Sequence, residues 1–103
     1  MSELEYVSQT LTKAISSLRA GPGEITEGMK AAYAEWHPIT VDKLPGELRN
    51  DWQSIIDRLT VVKDDEKGHV LATIDSLSEK ALIDIATDIM KFADRVDASL
   101  RGD

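Results

Sequence analysis

Residues 78–100, SEKALIDIATDIMKFADRVDASL, decide how this chain folds. Ser78 is a favoured helix N-cap, and Leu77 and Leu82 have the spacing of a hydrophobic staple across a helix start. The pattern predicts a helix over about 79–100, roughly 33 Å long at 1.5 Å per residue. Apolar residues recur every three or four positions and line one side of this helix: Leu82, Ile85, Ala86, Ile89, Phe92, Ala93, Val96 and Leu100.

The apolar surface of this helix is wider than one neighbouring helix can cover. Ile83 and Met90 lie beside the main stripe and extend the apolar arc to about half of the helical wheel. We therefore expect the helix to contact several helices at once, or to present one edge to a second chain.

Three upstream segments also show helical spacing. A helix over about 3–20 starts at Ser2, whose spacing to Glu5 is that of a capping box, and stops at Gly21-Pro22-Gly23. Helices over about 24–36 and 46–60 follow, each carrying a tryptophan in its apolar stripe. We expect Trp36 and Trp52 to pack in the core.

The connector between these two helices is expected to be ordered. The residue before Pro38 is pushed out of the helical conformation, which ends the second helix, and Pro45 suits the first turn of the third. Ile39, Val41 and Leu44 are the connector residues expected to pack on the core.

Residues 61–75 allow two interpretations. Val61 and Val62, together with Val70 to Ile74, flank an acidic loop and could form a β-hairpin, whereas Val70, Leu71 and Ile74 have the spacing of a short helix. The helix is favoured, because a lone two-stranded hairpin is marginally stable. The sequence thus predicts an all-α, compact bundle of four main helices in a single domain over residues 1–103, with a short fifth helix or hairpin at 61–75.

Composition excludes several classes of function. The 103 residues carry 19 acidic against 12 basic side chains, a formal charge of −7 that repels nucleic-acid phosphates and anionic lipids. The absence of cysteine excludes disulfides and thiol catalysis. No apolar run approaches the roughly 20 residues of a membrane span and the N-terminus lacks signal-peptide regions, so we expect a cytoplasmic location and no binding to membranes or nucleic acid.

No residue pattern indicates an enzyme, a metal site or a cofactor. Glu66 and His69 have the Glu-x-x-His spacing of di-iron bundles, but that site needs a second copy and two further glutamates, so a solvated loop histidine is expected. His37 is expected at a helix end with a structural role. Asp84 and Asp88 lie one turn apart beside Lys91 and Arg95, which predicts a solvated, charge-compensated surface.

Two surfaces are candidates for binding a partner. The first helix presents neutral polar groups and tyrosine opposite its apolar stripe, with Tyr6, Gln9 and Lys13 as candidate contacts, and neutral groups lose water at lower cost than charges. The last helix offers Ile83 and Met90. We therefore expect a non-enzymatic, self-associating protein–protein interaction module, a homo-oligomer. The alternative is an acidic inhibitor of the immunity-protein or antitoxin kind that covers a basic partner.

Overall fold

The last helix of the chain lies against three other helices. The computed structural model describes residues 3–20 and 24–102, in which every regular element is helical. These elements are α1 (Glu3–Ala20), α2 (Ile25–Trp36), a 3₁₀ turn (Val41–Lys43), α3 (Gly46–Arg58), α4 (His69–Ser76) and α5 (Glu79–Arg101). α5 contacts α1, α2 and α3, as its wide apolar arc predicted. The prediction of an all-α helical bundle is confirmed.

The ends of α5 follow from local chemistry. The Ser78 hydroxyl accepts a hydrogen bond from the backbone N–H of Ala81 over 3.1 Å, which confirms the predicted N-cap. Gly102, with φ of 81°, ends the helix in the left-handed conformation that glycine adopts without steric cost. The predicted cap at Ser2 and the turn at 21–23 lie outside the described residues.

α1 and α2 pack closely at a buried glycine. A Cβ atom built on Gly28 would lie 3.1 Å from the Leu18 carbonyl oxygen, so the missing side chain lets the two backbones approach. Helix α4 packs against α2, where Lys30 Nζ lies 2.6 Å from Asp75 Oδ1.

A row of aromatic rings connects three helices through the core. Tyr33 and Trp36 of α2 meet edge to face with centroids 5.7 Å apart, Trp36 and Trp52 of α3 lie 6.2 Å apart, and Trp52 and Phe92 of α5 lie 5.1 Å apart. Both tryptophans are 1% exposed, which confirms that they are core residues.

The connector between α2 and α3 packs as predicted, with one difference. Ile39 and Leu44 are buried and Val41 packs against the core at its edge. Pro45 is the N-cap of α3 and not part of its first turn, because its extended ψ of 155° lies outside the helical range while its carbonyl accepts from the N–H of Leu48 over 2.9 Å. α3 also ends at Arg58, two residues before the predicted boundary.

Residues 69–76 form the favoured short helix, and residues 61–68 form a loop. The backbone N–H of Val62 donates to the hydroxyl of the fully buried Thr73 over 2.9 Å, so the loop lies on α4 and does not pair as a strand. Gly68, with φ of 98°, makes the turn into α4. Within residues 3–20 and 24–102, no helix combines the length and the apolar content needed to cross a bilayer.

Candidate functional site

Charged side chains occupy the flank of α5 that faces α3. Arg58 Nη2 donates to Asp88 Oδ2 over 2.7 Å, and Arg95 forms an ion pair with Asp51. We predicted that cations of the same helix would compensate Asp88, and this was wrong: the compensating cation comes from α3, because the Asp88 edge of α5 lies against that helix.

The spacing of charged residues contains a sequence signal for this contact. Asp51 and Arg58 are seven residues apart on α3, and Asp88 and Arg95 are seven residues apart on α5. When two helices with this spacing pack antiparallel, each aspartate faces an arginine. Both ion pairs between α3 and α5 have this arrangement.

The opposite edge of α5 is exposed and contains the predicted contact residues. Lys80, Ile83, Thr87, Met90 and Asp94 follow one another at intervals of three, four, three and four residues, the spacing of a helical seam, and are called here the α5 strip. Ile83 is 47% exposed and Met90 is half-buried. The Thr87 hydroxyl donates to the Ile83 carbonyl over 2.9 Å, so a partner can cover Thr87 without leaving its donor unpaired.

The second predicted surface lies on α1. Gln9 and Lys13 are exposed, and Tyr6 is 40% exposed. Lys43 of the 3₁₀ turn places its ammonium nitrogen 5.5 Å from the centroid of the Tyr6 ring, within the range of a cation–π contact. A cation of the same chain therefore already lies over Tyr6.

The structure does not bring these two surfaces together. Ser8 Oγ of α1 donates to Asp97 Oδ1 of α5 over 2.6 Å, and Asp97 lies seven residues beyond Met90 on the same edge of α5. Tyr6 and Ser8 are two positions apart, which separates them by about 160° around a helix of 3.6 residues per turn. The Tyr6 side of α1 therefore faces away from the α5 strip.

An apolar pocket of about 310 Å³ lies beside the connector between α2 and α3, a feature that the residue patterns did not predict. Its lining contains no Asp, Glu, Lys or Arg. The lining residues are Tyr33, Trp36, His37, Ile39, Thr40, Val41, Trp52, Gln53, Ile56 and Val70. Trp36 is 1% exposed, and its indole nitrogen Nε1 is buried with no hydrogen-bond acceptor among the described residues.

Hydrogen bonds hold the connector at the rim of this pocket. The Thr40 hydroxyl donates to the carboxylate of Asp42. This bond, together with a second hydrogen bond from the backbone N–H of Asp42, holds the pKa of that carboxyl below its ordinary value. Lys43 Nζ donates to the Pro38 carbonyl over 3.2 Å. The polar groups of the connector thus bond mainly to the connector itself.

The histidines are separate from each other and from any metal-binding cluster. His37 is the C-cap of α2, as predicted, and its backbone N–H donates to the Tyr33 carbonyl over 3.0 Å. The expectation that Pro38 displaces this residue from the helical conformation was wrong, since its φ of −55° and ψ of −26° lie in the helical region. His69 was predicted in a loop but is the first residue of α4, with Nε2 3.6 Å from Asp65 Oδ1. In the part of the chain that the structure describes, no three His, Cys, Asp or Glu side chains form a group that could hold a metal ion.

Comparison with known proteins finds no match for this chain among protein-family models, curated proteins or solved structures. The candidate binding sites are therefore identified from the fold alone, and they are the α5 strip and the apolar pocket.

Proposed function

We propose that this protein is a non-enzymatic interaction module that self-associates through the α5 strip. The observation that carries the proposal is the uncharged centre of the strip, Ile83, Thr87 and Met90, on the exposed edge of the longest helix. The other flank of α5 is occupied by the ion pairs with α3, whereas the centre of the strip carries no charge that would lose its hydration at an interface.

The ends of the strip favour a second copy of the chain as the partner. Lys80 lies at one end and Asp94 at the other, and neither forms an ion pair within residues 3–20 and 24–102. If two α5 helices pack antiparallel about a two-fold axis, Lys80 of each lies near Asp94 of the other, and Ile83 and Met90 meet at the centre. A parallel pair would bring like charges together, which is destabilising.

The dimer is expected to be weak. One strip of a single helix buries less area than the 1,200 Å² or so at the lower end of stable, specific interfaces. Self-association is therefore a concentration-dependent equilibrium and not an obligate assembly.

Sedimentation equilibrium tests the proposal directly. Between about 10 µM and 1 mM, where association free energies of roughly 4 to 7 kcal/mol are resolved, we expect the mean mass to rise towards that of a dimer. Ile83→Glu should weaken dimerisation at least about tenfold, because the carboxylate loses water at the interface. Val61→Glu is the matched control, since Val61 is 62% exposed and outside the strip. A wild-type protein that stays monomeric over this range contradicts the proposal.

Charge reversal tests the antiparallel arrangement separately. Lys80→Glu and Asp94→Lys should each weaken the dimer by about two- to fivefold for each ion pair lost, the contribution of an exposed pair. The double variant restores opposite charges and should recover most of the affinity. If Ile83→Glu weakens the dimer but these charge changes do not, the α5 strip remains the interface and the antiparallel orientation is overturned.

The alternative proposal, an acidic inhibitor that covers a basic partner, has weaker support. Four aspartates bond to side chains of other helices, and so contribute less to an outward-facing acidic surface: Asp51, Asp75, Asp88 and Asp97. Steep loss of binding to a basic nuclease with added salt would favour this alternative.

A further inference from the structure

We propose that the apolar pocket beside Trp36 binds a small, uncharged aromatic molecule through a carbonyl oxygen that accepts a hydrogen bond from the Trp36 indole N–H. No lining residue belongs to α5, so the pocket is separate from the α5 strip and from self-association through it.

The pocket's size and lining define the class of ligand. Its volume of about 310 Å³ suits a small organic molecule and is too small for a helix of another protein. Tyr33, Trp36 and Trp52 contribute aromatic rings, which favour offset or edge contacts with an aromatic ligand. Because no lining side chain is Asp, Glu, Lys or Arg, a charged ligand would lose its hydration without gaining a permanent counter-charge.

The unpaired indole N–H defines the polar group of the ligand. Buried tryptophan N–H groups usually have an acceptor, because an unpaired buried donor is costly. The contact between Trp36 and Trp52 packs two rings but supplies no oxygen to the Trp36 nitrogen. A carbonyl oxygen can accept the indole hydrogen bond. It carries no formal charge, so it is also compatible with a lining that has no Asp, Glu, Lys or Arg.

Access to the donor requires the pocket wall to move. Solvent does not reach Trp36 Nε1, so the ligand must separate side chains that cover it. Helices form one part of the wall, and the connector residues His37, Ile39, Thr40 and Val41 form another. We expect the connector to be the part that shifts, because few of its backbone hydrogen bonds belong to a helical ladder.

A pair of nearly isosteric probes tests the proposal. Acetophenone carries an aromatic ring and a carbonyl, and ethylbenzene has a methylene in place of the carbonyl. Each is titrated into ¹⁵N-labelled protein while the two indole N–H signals, of Trp36 and Trp52, are followed by NMR. We expect acetophenone to bind about three- to tenfold more tightly, the contribution of one neutral hydrogen bond, and to move the Trp36 signal in a saturable way.

The variant Trp36→Phe keeps an aromatic ring and removes the donor, so it should lose the preference for acetophenone and bind ethylbenzene at least as tightly, because the carbonyl then loses its water without gaining a donor. Tyr6→Phe, outside the pocket, should preserve the preference of the wild-type protein. The wild-type titration remains decisive even if Trp36→Phe fails to fold. Equal affinity of the wild-type protein for both probes, or no saturable change in the Trp36 signal up to the solubility of acetophenone, would overturn the proposal.

Discussion

The backbone N–H of Val62 donates to the side-chain oxygen of Thr73 over 2.9 Å, a bond between residues eleven positions apart. Thr73 is 0% exposed to solvent, so its hydroxyl connects the 61–68 loop to the buried side of α4, while Lys67 of the same loop pairs with Asp75 on the exposed side. The position of the loop therefore depends on a buried polar group.

Replacing this hydroxyl should loosen the loop at Val62. Thr73→Val keeps the shape of the side chain but leaves the Val62 N–H without its acceptor, which should lower the free energy of unfolding by about 1–3 kcal/mol. Amide hydrogen exchange at Val62 should become faster than in wild type. Thr73→Ser retains the oxygen and should keep that amide protected, so equal exchange in the two variants would contradict the role of the hydroxyl.

Gly28 and Gly46 should respond oppositely to alanine. Nothing lies within 4 Å of a Cβ atom on Gly46, so Gly46→Ala should stabilise the fold by about 0.4–1 kcal/mol through reduced freedom of the unfolded chain. At Gly28 the same gain is offset because the new methyl group presses on the Leu18 carbonyl. Urea unfolding should show Gly28→Ala as neutral or destabilising; a clear stabilisation would mean that α1 moves away at little cost.

The N-cap of α5 should contribute measurably to stability. Ser78→Ala removes the acceptor of the Ala81 N–H and should cost about 0.5–2 kcal/mol. Ser78→Asp keeps an acceptor and adds a negative charge at the positive end of the helix dipole, so thermal unfolding should show little or no loss. Equal losses in both variants would count against the capping bond.

The loop also contains a carboxyl whose titration can be followed. Asp64 Oδ1 accepts from the backbone N–H groups of Lys67, over 2.9 Å, and Glu66, over 3.0 Å. These two bonds lower the pKa of Asp64 below its ordinary value of 3.8, because they stabilise the charged form.

A lowered folded-state pKa means that Asp64 stabilises the fold above its ordinary pKa and loses that contribution as the pH falls through the lowered value. Asp64→Asn keeps an acceptor but cannot be protonated, so its unfolding free energy should depend less on pH below about 4 than that of wild type. NMR titration of the Asp64 carboxyl gives the midpoint, and a midpoint at or above 3.8 would refute the assignment.

Local patterns predicted the helices well. The cap at Ser78, the burial of Trp36 and Trp52 and the favoured helix around Val70 follow from residue spacing and short-range hydrogen bonding, and the structure agrees with them. The cap and the helical spacing need only neighbours within a few positions along the chain. Pro45 was placed one position too far into α3, because local pattern permits proline both as the N-cap and as the first helical residue.

The sequence by itself determined which residues share a face of each helix, since that depends on 3.6 residues per turn. It did not determine which faces meet. Only the tertiary structure decided that α3 covers the Asp88 edge of α5 and leaves Ile83 exposed, and that Lys43 lies over Tyr6. The pocket beside Trp36 likewise requires several elements to converge, because its walls are residues distant in sequence that only packing brings together.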